Sequence, residues 1–279
     1  MVVVCNREVS EVSYGMHTLT RAGFPPLNSK FSADPPTPQA GLHYGTEEYN
    51  SLQLVKEYFT RYAEHANRAV LSVEGGYNPR TSTSDCSGEI SARHINVFEP
   101  ARLDPNVPIE DIIDHLAIFV ELDYIEEIGL TEVSATTIRK AHRMCSIAAV
   151  KIKLSLFCTD VLTNGIMNTC KELGIPLTDA IEPRQQLQEG DWRLNLPRFD
   201  ASAWGANSRL AEAIKSMAER KGWVTRQLAL VWVKKMGAFP IPGSRRPSDE
   251  DMAEIASVLG NQKVMGERFC GKNELLLNM

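Results

Sequence analysis

From residue 95 onward, short apolar runs alternate with segments of helical spacing, and this alternation restricts the chain to a small set of folds. HINVFEPARL reads as a strand. Ile112, Ile113, Leu116 and Val120 then recur at helical intervals and predict a helix from about Ile109 to Glu121, after which EEIGL is again a strand. Ser134 is placed to cap the helix ATTIRKAHR, SIAAVKI is a strand, and NGIMNTCKEL is a helix that Gly174 and Pro176 bring to an end. IPLTDA is a weaker strand. After a long connection, Leu210, Ala213, Ile214 and Met217 form the apolar stripe of RLAEAIKSMAERKG, QLALVWVKKM is a further helix and FPIPG a brief strand. Ser248 and Asp251 make a capping box for the last helix. Strand and helix in steady succession imply a parallel sheet. No linker or repeat divides the series, so one continuous barrel-like domain over residues 1–279 is expected.

The first ninety residues are less regular. REVSEVSYGMHTL can supply a strand, but the prolines of RAGFPPLNSKFSADPPTPQAG would interrupt a crossover helix. EEYNSLQLVKEYFTRYAEHA is a helix, and AVLSVEGG is a short buried strand made by Ala69, Val70, Leu71 and Val73. Only TSTSDCSGEISAR separates that strand from the next, so a full helix barely fits between them. The same strand raises a chemical question, because it ends in Glu74. A carboxylate there is solvated, paired or functional.

Composition removes several classes of function. A hydrophobic fraction of 43% in 279 residues furnishes a sizeable core. The 30 Lys and Arg against 35 Asp and Glu leave a net charge of -5 without a basic run to follow a phosphate backbone, so nucleic acid is not an expected partner. No stretch approaches the ~18 apolar residues of a membrane span, and MVVVCNREV lacks the features of a signal peptide; a soluble, cytoplasmic protein is expected. The 6 cysteines contain no CxxC pair and the 6 histidines no HxxxH or HxH spacing, which suggests neither a disulfide framework nor a metal centre.

QAGLHYG (39–45), LSVEGG (71–76), FEPARLDPNVPIED (98–111), IGLTEVSATTIRKAH (128–142), SLFCTDVLTNGIM (155–167) and IPGS (241–244) resemble, in order, motifs of the aldo-keto reductases, and most closely the fungal pyridoxal reductase branch. The resemblance runs from about residue 7 to 260. It implies an α/β fold, the (β/α)8 TIM barrel, incomplete in its N-terminal third, with ligands at the C-terminal ends of the strands. It also implies that NADP(H) exchanges hydride with an aldehyde or ketone, pyridoxal-like by family, while a tyrosine donates the proton.

By this resemblance Tyr44 is the acid, Gln39 stands at the family's aspartate, and Ala101 replaces its active-site histidine. Glu74 occupies the position of the catalytic lysine, since the family reads LSVKGG. A lysine lowers the tyrosine pKa from its ordinary ~10, whereas an ionised glutamate ~4 Å away opposes it by about 4 kcal/mol at an effective dielectric of about 20. For the cofactor, Thr131 and Glu132 match the positions that meet the nicotinamide carboxamide, Lys151 replaces the residue facing the ring, and Ser244, Arg245 and Arg246 match the 2'-phosphate site. Three functions follow as expectations: an NADP-dependent carbonyl reductase impaired by Glu74, a barrel without reductase chemistry that binds or regulates, and a non-redox enzyme with Glu74 as its base. An incomplete barrel would leave strand edges that a protein partner could cover.

Overall fold

The computed structural model describes residues 2–9, 51–66, 69–78, 83–84, 95–180, 196–241, 264–266 and 268. They fall into two compact units that part after Val150. The first begins with β1 (Val2–Val4) and β2 (Arg7–Val9), an antiparallel pair in which Val3 lies opposite Glu8. Cys5 and Asn6 both have positive φ, 50° and 54°, so the turn between them takes the left-handed form that suits the strand twist. α1 (Ser51–Arg61) and α2 (Ala63–Ala66) follow, separated at Tyr62. The Tyr58 hydroxyl and His65 Nδ1 lie 2.7 Å apart across that break, and the Tyr62 ring stacks on His65.

β3 (Ser72–Gly75) takes only the later part of AVLSVEGG, and it is not the buried strand expected: Ser72 is exposed, Val73 is half-buried, and Ala69, Val70 and Leu71 precede the strand and are half-buried too. Among the described residues, the short connection beyond it carries only the antiparallel pair β4 (Tyr77–Asn78) and β5 (Thr83–Ser84). The chain then enters β6 (Ile95–Pro100), α3 (Ile109–Glu121), β7 (Ile125–Thr131), α4 (Ala135–Met144) and β8 (Ile147–Lys151). Neighbours run in the order β3, β6, β7, β8, with β3–β6 and β6–β7 parallel. α3 buries Ile112, Ile113 and Leu116 of the stripe that its spacing predicts, with Ile109 added at its start, whereas Val120 near its end is half-buried. Burying one such side chain contributes about 1.5–3 kcal/mol. Ser134 caps α4 by accepting the Thr137 N–H at 3.1 Å, and Lys140 of α4 pairs with Glu110 of α3 at 3.4 Å.

In the second unit, α5 (Ile166–Leu173) ends at Gly174, whose φ of 70° is a left-handed C-cap that glycine adopts without a side-chain clash. β9 (Leu177–Ala180) pairs in parallel with β10 (Phe239–Ile241), Thr178 opposite Phe239. Between them lie α6 (Ala201–Arg220) and α7 (Thr225–Met236). The α6 stripe of Leu210, Ile214 and Met217 is buried, and α7 buries Leu228, Val231, Trp232 and Val233. Asn207, 4% exposed, donates from Nδ2 to the carbonyls of Arg198 (2.9 Å) and Met265 (2.8 Å) and accepts the Met265 N–H at 2.9 Å. No helix among the described residues is long and apolar enough to cross a membrane.

Candidate functional site

The register between β3 and β6 sets Val73 opposite Phe98 and Glu74 opposite Glu99. Side chains alternate across a strand, so Ser72 and Glu74 share one face of β3, as Val97 and Glu99 share one face of β6. Both carboxylates lie at the C-terminal ends of their strands. The adjoining strand β7 ends at Thr131, and the Thr131 hydroxyl approaches both: Oγ1 is 3.3 Å from Glu74 Oε1 and 3.4 Å from Glu99 Oε2. Ser72 donates to Glu99 Oε1 at 2.9 Å. Residues 72, 74, 99 and 131, from three strands, thus form one polar cluster.

Their exposures differ. Glu99 is 1% and Thr131 4% exposed, whereas Glu74 is half-buried. A buried carboxylate requires donors, and the two hydroxyls supply them. Space is supplied by Gly129, where a Cβ would stand 2.7 Å from Glu99 Cγ and 2.9 Å from Val97 Cγ1, closer than real atoms approach. Only a residue without a side chain lets Glu99 lie against β7.

Glu132 follows Thr131 directly, 7% exposed and with a φ of 54°. Left-handed backbone at a residue other than glycine or asparagine costs about 1–2 kcal/mol. Strain of this kind is commonly held at functional positions.

Of the residues that the sequence nominates, the structure brings Glu74 and Thr131 together and sets Glu132 next in the chain. Lys151 ends β8 and belongs to the second unit. Ala101, at the histidine position, is buried just beyond β6. Tyr44, Gln39, Ser244, Arg245 and Arg246 lie outside the described residues. Glu99 was missed. Its signal is the one that singled out Glu74, an acidic residue closing an apolar strand, since INVFEP repeats the pattern of VLSVEGG.

Residues 88–260, more than half the chain, match the model of the "Aldo/keto reductase family". "Probable pyridoxal reductase 2" of Schizosaccharomyces pombe is 26% identical over 333 residues, covering 100% of both chains. The alignment is longer than the 279 residues of this chain, so the relative carries segments that this chain lacks. A solved glycerol dehydrogenase from Gluconobacter oxydans superposes with a TM-score of 0.53 at 15% identity, covering 63% of this chain and 62% of its own. That likeness is one of fold, and the structural neighbours are (β/α)8 barrels. The chain belongs to the aldo/keto reductase family.

Proposed function

We propose that the protein is an NADP(H)-dependent oxidoreductase that interconverts an aldehyde or ketone, of the pyridoxal type, with the alcohol, and that Glu74 weakens this activity. The observation that carries the reading is the meeting of Glu74 and Thr131 at the C-terminal ends of parallel strands. Those ends carry the chemistry in barrel enzymes. The donor set suits a primary amide such as the nicotinamide carboxamide, which offers two N–H donors and one acceptor. Thr131 supplies a hydroxyl, and the next residue in the chain, Glu132, carries a carboxylate acceptor.

When bound, the cofactor supplies or accepts hydride. Tyr44 holds the proton for the carbonyl oxygen, Gln39 supports it with an amide, and Ser244, Arg245 and Arg246 bind the 2'-phosphate. Glu74 acts against the acid, because a nearby carboxylate disfavours the phenolate that a lysine would stabilise. The same position supports a second reading. A half-buried carboxylate that already accepts a hydrogen bond from Thr131 is equipped to act as the general base of a non-redox reaction.

Glu74→Lys distinguishes the two readings. Binding of NADPH is followed by protein fluorescence, folding by circular dichroism, and pyridoxal reduction by loss of nicotinamide absorbance. For the reductase, the lysine variant reduces pyridoxal faster by about tenfold or more, at equal folding and cofactor affinity. An unchanged or lower rate with both properties intact removes the assignment of Glu74 to the lysine position.

A further inference from the structure

A hydroxyl carries one hydrogen. Thr131 Oγ1 is 3.3 Å from Glu74 Oε1 and 3.4 Å from Glu99 Oε2, so one hydrogen is divided between two acceptors and a full bond to either is made at the expense of the other. The two acceptors have different surroundings. Glu99 is 1% exposed and accepts the Ser72 hydroxyl whichever way Thr131 points, while Glu74 is half-buried at the strand end. Their spacing is fixed by the backbone, because they are register partners on adjacent parallel strands. The Gly129 notch fixes it further: a Cβ there would stand 3.1 Å from Glu99 Oε1 and push the carboxylate off β7.

We propose that Thr131 is a two-position hydrogen-bond switch, and that Glu99 is the positioning residue of Glu74, taking the Thr131 hydrogen when Glu74 accepts a donor from a bound ligand. This rests on the reading that Glu74 lines the reaction centre. With acceptors at nearly equal distances, the hydroxyl turns from one to the other and keeps a bond throughout. With Glu74 as its single acceptor, Thr131 would be left as a buried donor without a partner each time Glu74 turned to a ligand, which is costly. Glu99 removes that cost. The ligand class follows: a molecule that offers an O–H or N–H to Glu74, as the alcohol side of a carbonyl reduction does.

The test reads hydrogen bonding directly, by carboxyl 13C NMR of the full chain carrying 13C-labelled glutamate, without cofactor or substrate. The Glu74 resonance is identified by its loss in Glu74→Gln. Thr131→Val removes the Thr131 hydrogen bond from Glu74, whereas Glu99→Met leaves Glu74 as the full-time acceptor of that hydroxyl, so the Glu74 resonance moves in opposite directions in the two variants. Thr131→Ser, which keeps the hydroxyl, leaves it near the wild-type position. The reciprocal measurement does not depend on Glu99→Met folding: the Glu99 resonance moves one way in Thr131→Val and the other way in Glu74→Met. Displacements of the same sign, or no displacement when the opposing carboxylate is removed, overturn the switch. Because no turnover is needed, a protein without pyridoxal reductase activity that shows opposite displacements sinks the reductase reading and leaves the switch standing.

Discussion

The two ends of the parallel strands in the first unit both hold acidic side chains, and they treat them differently. At the N-terminal end, Glu127 is register partner to Val97, near the place where Cys5 of the β1–β2 turn packs with Val97 and Ala148. Burial holds the Glu127 carboxyl above its ordinary range, with the Cys5 backbone N–H pulling the other way and the Glu126 charge adding to the rise. Burial also pushes the Cys5 thiol up to about 12, with help from the charges of Glu127 and Glu126. At the C-terminal end, the more deeply buried Glu99 has Ser72 and Thr131 as donors. The supply of hydrogen-bond donors, and not depth alone, separates an apolar plug from a polar cluster. Barrels commonly divide the same way, with stability at one end and chemistry at the other.

Cutting the apolar plug gives the largest expected effect. Val97→Ala, at a position 1% exposed, lowers stability by about 2–3 kcal/mol through lost burial and a residual cavity. Denaturant unfolding measures this; Val97 Cγ1 also borders the Gly129 notch beside Glu99, so NADPH affinity, read alongside on the proposed function, reports how far the cavity reaches towards the polar cluster. If both fall together, the two ends are not separable.

A pH titration of stability sharpens the contrast. Because the folded pKa of Glu127 is raised, the native state holds the proton to a higher pH than the unfolded chain. Its contribution is therefore fully present below the ordinary value of 4.5 and is lost as the pH rises through the raised one. Glu127→Gln flattens that part of the profile and raises stability at neutral pH. Cys5 acts by the same sign at the alkaline end: stability falls as the pH rises from 9.0 towards about 12, and below that range alkylating reagents reach the thiol only after unfolding. Rapid alkylation of native Cys5 at neutral pH would show that the plug admits solvent.

The smallest effect belongs to the C-terminal end. Glu132→Asn relieves left-handed backbone at a φ of 54° and raises the unfolding free energy by about 1 kcal/mol. If that gain is accompanied by weaker NADPH binding, the strain serves the cofactor site. If binding is unaffected, Glu132 has no part in holding the cofactor.

The helical stretches beyond residue 95 were legible because each carries its own local signals. The spacing of Ile112, Ile113 and Leu116 gives α3, the Ser134 hydroxyl gives the start of α4, and Gly174 gives the end of α5. The connection after β3 was legible as a shortage of residues, but not as the β4–β5 pair that takes the helix's place among the described residues. Two-residue strands carry too little pattern to read. The hairpin of Cys5 and Asn6 was overlooked because its apolar partners, Val97 and Ala148, are remote in sequence. At the site, Glu74 stood out against a family motif. Glu99 did not, since its meaning depends on strand register and on the space left at Gly129, neither of which a single sequence displays.

Asn207 carries a consequence of a chemical kind. Its amide binds Met265 through one donor and one acceptor, as a neighbouring peptide group would, while a second N–H reaches the Arg198 carbonyl. The attachment of the Met265 backbone at this point therefore depends on a functional group that water can hydrolyse. Deamidation to aspartate would exchange both donors for an acceptor facing two carbonyl oxygens, turning attraction into repulsion within a buried site. A single slow covalent change would then act as a clock on how long this junction of the chain holds.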